Sequence, residues 1–198
     1  MNAQFSRDQW LYEELELHGL DAEGEALNQV ELYRCEVLNA KLSGATLKRW
    51  VFEECTFRDC DLSNITWEGC TFEGCTFRDC RLIGSDWRHI ASLTAAVNFE
   101  RCDLSMSQLS GVRLLSSRFE GSRCIDVDFS QADLSESVWL ETEVTDALFE
   151  ESKLNKANLT GAIGEQFDPQ TSQLNGALVS ITTAIRLAES LGLFVDHN

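Results

Sequence analysis

Eight cysteines are the residues best suited to nucleophilic or metal chemistry in this 198-residue sequence. Six of them, between Cys35 and Cys80, are separated by five residues or a multiple of five. Zinc sites use the closer C-x-x-C spacing, so this pattern does not indicate a metal. We expect free thiols that pack as small hydrophobic residues.

The histidines and carboxylates form no catalytic pattern either. His18, His89 and His197 are far apart and share no aspartate, serine or cysteine context. The sequence has no glycine-rich phosphate loop, nucleophile elbow or Cys–His pair. We therefore expect a binding protein, not an enzyme, with no catalytic residue, no metal and no cofactor.

A period of five organises the chain. Stepping by five from Leu27 to Trp87, and again from Phe99 to Leu159, all 26 positions are apolar. The position two residues earlier holds Ala, Ser, Cys, Thr or Val in 23 of the 26 cases. The exceptions are Glu25, Trp50 and Ile65. Five fits neither the 3.6-residue period of a helix nor the two-residue period of a strand.

A coil with four sides, one pentapeptide per side, accounts for this period. The large residue and the small one before it point inward, and the other three face solvent. Residues 20 apart then stack on successive coils at the ~4.8 Å strand spacing. We predict an all-β, right-handed quadrilateral β-helix followed by a C-terminal α-helix. Its expected core ladders contain Phe52, Phe57, Phe72, Phe77, Phe99, Phe119 and Trp139.

The pattern resembles that of the pentapeptide-repeat proteins from about Leu27 to Leu159. The cleanest matches are Cys-Thr-Phe-Arg-Asp at 55–59 and 75–79, Ala-Asp-Leu-Ser-Glu at 132–136 and Ala-Asn-Leu-Thr-Gly at 157–161. We divide the chain into residues 1–26, a coil over 27–179 interrupted at 88–96, and residues 180–198.

The interruption carries a predicted partner-binding loop. Trp87 and Phe99 are twelve residues apart, where a multiple of five is expected. Two residues are extra if two sides continue through the segment, and seven if one does. The segment is either a bulge at a corner or a loop that sets specificity. The candidate residues are Arg88, His89, Ile90, Ala91, Ser92, Leu93, Thr94, Ala95 and Ala96.

Both ends need covers, because a solenoid end exposes core and strand edges. Ser6 to Gln9 is a possible capping box of a short helix, whereas Leu15, Leu17 and Leu20 fit a degenerate first coil. Residues 180–192 have helical spacing, with Ser180 or Thr182 as N-cap and Gly192 as C-cap. This helix caps its own coil or, as we prefer, forms a two-fold dimer contact. The predicted contact residues are Ile181, Ile185, Ala188, Leu191, Leu193, Phe194 and Val195.

The formal net charge of -17 restricts the partners. Such a surface repels nucleic acid and anionic membranes and attracts basic proteins. No apolar run approaches ~18 residues, and the N-terminus lacks the order of a signal peptide, so we expect a cytoplasmic protein. The repeats predict a rod of roughly 31 Å at ~4.8 Å per coil. Duplex DNA of that length carries about 18 charges.

Among pentapeptide-repeat proteins, the chain looks like the group that interacts with DNA gyrase. This group comprises the quinolone-resistance (Qnr) proteins and the albicidin and microcin B17 immunity proteins. The similarity lies in the length, the Cys/Phe-rich blocks, the interruption after Trp87 and the ending at 188–195. It implies a homodimeric DNA mimic that binds gyrase or topoisomerase IV and protects it from a poison. The alternative is an interaction scaffold for another basic partner. Qnr proteins have longer protruding loops than the one modest insertion of this chain. For this chain, the difference favours simple gyrase binding or inhibition over rescue from a drug.

Overall fold

Short parallel strands stack along four sides of a coil in the computed structural model, which describes residues 2–93, 97–164 and 167–196. Side 1 is the five-stranded sheet that begins at Leu11 and side 2 the eight-stranded sheet that begins at Asn2. Side 3 consists of single bridges from Asp21 to Glu143 and a final two-stranded sheet. Side 4 is a three-stranded sheet continued by bridges to Leu148. This is the predicted right-handed quadrilateral β-helix with a C-terminal α-helix.

The strands are three residues long, or two at the irregular places. Side 1 contains β2 (Leu11–Glu13), β5 (Glu31–Tyr33), β8 (Val51–Glu53), β11 (Thr71–Glu73) and β13 (Ser92–Leu93). Side 2 contains β1 (Asn2–Gln4), β3 (Glu16–His18), β6 (Glu36–Leu38), β9 (Thr56–Arg58), β12 (Thr76–Arg78), β14 (Asn98–Glu100), β15 (Arg118–Glu120) and β16 (Val138–Leu140). Side 3 contains β17 (Thr142–Glu143) and β18 (Ala162–Ile163), and side 4 contains β4 (Ala26–Asn28), β7 (Thr46–Lys48) and β10 (Thr66–Glu68).

The predicted aromatic ladders are confirmed. Phe57 pairs with Phe77, and their ring centroids are 4.7 Å apart. Phe119 lies between Phe99 at 5.2 Å and Trp139 at 4.1 Å. The ladder residues are buried, with at most 1% of each exposed, and they are Phe52, Phe57, Phe72, Phe77, Phe99, Phe119 and Trp139. Stacked rings of this kind hold neighbouring coils together in addition to the backbone hydrogen bonds.

Left-handed corner residues set the five-residue period. The chain turns after each strand at a residue with positive φ, such as Asp59 (φ 55°) and Asn64 (φ 54°). Short polar side chains and glycine tolerate this conformation best. Three extended residues, one left-handed residue and one inward small residue therefore make one side.

The small inward positions are occupied as predicted, and of the three exceptions Trp50 and Ile65 are buried whereas Glu25 is not. Cys55 donates from Sγ to the Leu32 carbonyl oxygen at 3.3 Å, as a buried thiol can. Trp50 is also fully buried, and its indole donates to the Leu27 carbonyl oxygen at 3.2 Å. Glu25 is exposed and pairs with Arg7 at 2.7 Å, because it lies at the open N-terminal end.

The coil starts earlier than residue 27. Strand β2 pairs in register with β5, and Leu17 and Leu20 are buried, so residues 11–26 form a first coil. Residues 6–9 form a turn and not a helix. Phe5 stacks on Tyr12, with centroids 5.7 Å apart, and covers the interior at this end. The first coil therefore carries its own aromatic cover.

Two sides continue through the interruption. Phe72 pairs with Leu93 and Phe77 with Phe99, spacings of 21 and 22 residues in place of 20. One extra residue therefore precedes β13 and one follows it. Of the two alternatives from the sequence, the insertion of two residues is the one observed. Ser92 and Leu93 are part of the wall, and residues 94–96 lie outside the described part of the chain.

The helix α1 spans Ile181–Ser190. Ser180 is the N-cap, since its Oγ accepts a hydrogen bond from the Thr183 N–H at 3.1 Å. At the other end the Leu193 N–H donates to the Ala188 carbonyl at 3.1 Å, and Gly192 has φ 81°. This is a Schellman motif, the ending that glycine favours. The buried Thr183 and the half-buried Leu187 form the face that packs on the coil.

Candidate interaction surfaces

The described residues contain no group of three side chains suited to hold a metal ion. All eight cysteines are buried free thiols, and burial raises the pKa of Cys70 to about 12 and that of Cys75 to about 11. His18 lies 2.7 Å from Glu16 on an exposed strand. These residues serve packing and surface pairing, so the outer surface of the coil is where the candidate sites lie.

Side 3 carries a column of alternating charge. Bridges join Asp21, Lys41, Asp61, Arg81, Asp103, Arg123 and Glu143 in this order, one residue per coil. Arg123 lies 3.6 Å from an Asp103 oxygen and 3.4 Å from a Glu143 oxygen. Each acid of this column therefore has a base on a neighbouring coil, and the seven residues sum to a charge of -1.

Side 2 mixes charges in a similar way. Arg58 pairs with Glu36 at 2.8 Å, and Arg101 pairs with Asp79 at 2.7 Å. Arg78 donates two hydrogen bonds to Glu100, at 2.7 and 3.2 Å. The Arg101 guanidinium lowers the pKa of the Asp79 carboxyl by its hydrogen bond. Most acids on this side are therefore already paired within the protein.

Between Leu11 and Gly74, side 1 has a larger excess of acidic over basic residues. Strands β2, β5, β8 and β11 and the corners that follow them carry one base, Arg34, which pairs with two of the acids. We call the six glutamates there the acidic strip: Glu13, Glu14, Glu31, Glu53, Glu54 and Glu73.

The glutamates of the acidic strip differ in how they are compensated. Glu53, Glu54 and Glu73 form no ion pair within the described part of the chain, and Glu53 pairs in register with Glu73. The pKa of Tyr33 is raised because its hydroxyl donates to Glu31 and further glutamates lie nearby. The acidic strip therefore has an excess of negative charge, which is uncompensated at Glu53, Glu54 and Glu73.

The predicted loop is compact where it is described. Arg88 donates to both Asp86 oxygens, at 3.0 and 2.8 Å, and this hydrogen bonding lowers the pKa of Asp86. His89 Nδ1 lies 4.0 Å from Asp86, and Ile90 packs partly against the core. Ala91 donates its N–H to the Cys70 carbonyl at 2.8 Å. The segment follows the wall of the coil up to Leu93.

The C-terminal end leaves apolar side chains exposed. Ile181 is 82% exposed, Leu191 55%, Leu193 60% and Phe194 103%. Ile185, Ala188 and Val195 are half-buried. The helix therefore covers its own coil with one face and presents a second apolar face, formed by the predicted contact residues, to solvent.

Sequence profiles now identify the repeats. Profiles described as pentapeptide repeats match residues 32–81 and 52–97 in one form and 98–136 in another. Together they cover more than half of the chain. The chain belongs to the pentapeptide-repeat family.

Solved structures show the same fold over nearly the whole chain. The full-length structure of QnrB1, a plasmid-mediated fluoroquinolone resistance protein, superposes with a TM-score of 0.71 at 20% identity. The match covers 96% of this chain and 95% of that chain. A trypsin-treated QnrB1 variant gives a TM-score of 0.66 at 21% identity, covering 95% and 98%. No curated protein sequence matches significantly. At this identity the similarity establishes a shared fold.

No helix in the described ranges is long and apolar enough to cross a bilayer. Sequence reasoning found the ladders and the interruption but not the acidic strip, and the C-terminal dimer contact stays a prediction. The signal was available, because the side of each glutamate follows from its distance to the inward positions. Stepping by twenty from Glu13 leads through Tyr33 to Glu53 and Glu73.

Proposed function

We propose that this protein binds DNA gyrase or topoisomerase IV as a mimic of duplex DNA, and that it protects the enzyme from a quinolone, albicidin or microcin-type poison. The observation that carries the proposal is the near full-length superposition on QnrB1, whose described role is fluoroquinolone resistance. The proposed role is that of a binding protein in the cytoplasm, without catalysis.

The charge and shape of the rod support the mimicry. About seven turns at ~4.8 Å per turn give a length of roughly 34 Å. Duplex DNA of that length carries about 20 phosphate charges, against a net charge of -17 for this chain. The acids of all four sides outnumber the bases, so a positive DNA-binding groove attracts the rod in any orientation.

The exposed apolar face at the C-terminus supports a homodimer. Two rods joined end to end by Ile181, Leu191, Leu193 and Phe194 form a longer mimic with two-fold symmetry. Topoisomerases of this class hold DNA across a two-fold groove, so a two-fold rod can contact both halves.

A supercoiling assay tests the proposal. DNA gyrase is titrated with this protein, with and without ciprofloxacin or albicidin. Restored supercoiling in the presence of the poison establishes protection. Inhibition without the poison establishes a DNA mimic that acts on the enzyme. No effect in either arm refutes the proposal and favours an interaction scaffold for another basic protein. A variant with glutamate at Leu191 is the control for the contribution of the dimer.

A further inference from the structure

Trp10 occupies an inward position of the kind that usually holds a small residue. It lies two residues before the buried Tyr12, in the column that continues through Val30 and Trp50. Val30 and Trp50 are buried and fill the interior, whereas Trp10 is 61% exposed. A tryptophan left in water forgoes the large gain from burying its ring. The period of five places this residue inward, and the N-terminal end of its column leaves the ring free to turn outward into solvent.

A groove of about 300 Å³ runs beside the exposed indole. It is lined by Trp10, Gln29, Glu31 and Arg49, at the corner between sides 4 and 1. The Glu31 N–H donates to the Trp10 carbonyl oxygen at 2.8 Å, which fixes the Trp10 backbone against the first glutamate of β5. The groove therefore opens onto the acidic strip.

We propose that Trp10 and the acidic strip form one docking surface for an extended lysine- or arginine-rich segment of a protein partner. The proposal deepens the proposed function and rests on it for the identity of the partner, since it names the face of the rod that meets gyrase. A cationic side chain stacks on the indole, and the following ones reach the glutamates. Cations favour tryptophan faces over other aromatic rings.

Charge complementarity selects this occupant over an apolar or acidic one. The proposed surface holds the six glutamates of the acidic strip against two bases, Arg34 in the strip and Arg49 in the groove. Glu13 and Glu73 are three coils apart, roughly 14 Å at ~4.8 Å per coil, which about four extended residues span. Sides 2 and 3 offer no equivalent surface, because most of their acids are paired or alternate with bases.

Two variants remove the two halves of the surface. Trp10→Ala removes the indole, and a triple variant with glutamine at Glu13, Glu53 and Glu73 removes three charges. Because Trp10 and two of these glutamates are exposed and Glu53 is half-buried, both variants are expected to keep the fold. Thermal unfolding followed by circular dichroism verifies this.

Matched controls make the same changes elsewhere. Leu148→Ala truncates another apolar side chain, 57% exposed, on side 4. A control triple variant with glutamine at Glu16, Glu36 and Glu120 removes three charges from side 2, where Glu36 and Glu120 are ion-paired. The two triple variants have equal net charge, so any difference in their binding affinity reports the location of the removed charges.

The probes are immobilised DNA gyrase and a deca-lysine peptide, titrated at low salt. Truncation of an anchoring tryptophan is expected to weaken binding about 30-fold. The four other tryptophans are at most 1% exposed, so acrylamide quenching reports on Trp10. Bound peptide should reduce the acrylamide quenching of the wild type and leave the quenching of Trp10→Ala unchanged.

Weaker peptide binding by both surface variants, with both controls close to wild type, supports the docking surface. Equal losses in the two triple variants overturn it, because net charge alone then explains binding. Unchanged affinity in Trp10→Ala also overturns it. If the wild type binds the peptide but not gyrase, the proposed function fails while the peptide titrations still decide the surface.

Discussion

A buried hydrogen-bond relay stabilises the middle of the coil and makes a quantitative prediction. The Trp87 indole N–H donates to Ser85 Oγ at 2.8 Å, Ser85 lies 3.0 Å from Ser107 Oγ, and Ser107 donates to the Leu82 carbonyl at 2.7 Å. Ser85, Trp87 and Ser107 are fully buried. Ser85→Ala leaves the indole N–H without an acceptor in a dry core.

The expected cost of Ser85→Ala is about 1–3 kcal/mol, the penalty for a buried polar group left unsatisfied. Ser152→Ala is the matched control. Ser152 is also buried at an inward small position, and its Oγ donates to the Phe149 carbonyl at 2.7 Å. That carbonyl also accepts from Ser172 Oγ, so the control leaves no orphaned group and should cost about 0.5–1.5 kcal/mol.

Urea unfolding followed by circular dichroism measures both variants. A shift of the midpoint at constant slope reports stability. The urea midpoint of Ser85→Ala should fall below that of Ser152→Ala. When Trp87→Phe is added to both variants, the difference between their midpoints should shrink, because the orphaned indole donor is gone. Equal midpoints for the two serine variants would refute the reasoning.

Three further predictions concern the core, the end and the thiols. Phe119→Asp should abolish cooperative unfolding, because a carboxylate is not solvated in the closed core, whereas aspartate at the exposed Met106 should leave the melting curve unchanged. Leu191→Glu should sediment as a monomer with unaltered circular dichroism; a persisting dimer would exclude this helix face as the contact. Burial raises the pKa of Cys70 to about 12 and that of Cys75 to about 11, so an aromatic disulfide reagent at mildly alkaline pH should modify these two thiols only after denaturation, and their rapid modification in the native protein would contradict their burial.

Much of the fold could be predicted from the sequence because each pentapeptide repeats the same local constraints. The register of Phe57 on Phe77 follows from spacing alone. The sequence offers Ser180 or Thr182 as the N-cap of α1, and the structure selects Ser180. The interruption is different, because backbone pairing decides where the two extra residues go. One extra residue before β13 keeps side 1 in register, and one after it keeps side 2 in register. No residue type in the sequence signals where these two residues are placed.

The N-terminal end was harder to predict because its columns lack neighbours on one side. A residue at an inward position is then free to turn outward, as Trp10 does, or to be replaced by a charged one, as at Glu25. The cover of the coil comes from Phe5 and Tyr12, whose stacking requires the fold to be known. Position in a repeat predicts burial only where another coil lies on both sides.

The difference between two charged columns supports the proposed docking role of the acidic strip. Parallel pairing in register places equivalent residues about 4.8 Å apart, where like charges repel by roughly 1 kcal/mol even in water. The side 3 column from Asp21 to Glu143 avoids this by alternating its charges. Glu53 and Glu73 on side 1 face each other without a base between them. Since the same fold accepts alternation on side 3, the repulsion between Glu53 and Glu73 is a property of the sequence, and the proposed basic partner would relieve it on binding. Lysine at Glu53 should accordingly raise the unfolding midpoint in urea and weaken binding to gyrase, and a variant that is neither more stable nor weaker in binding would contradict this account.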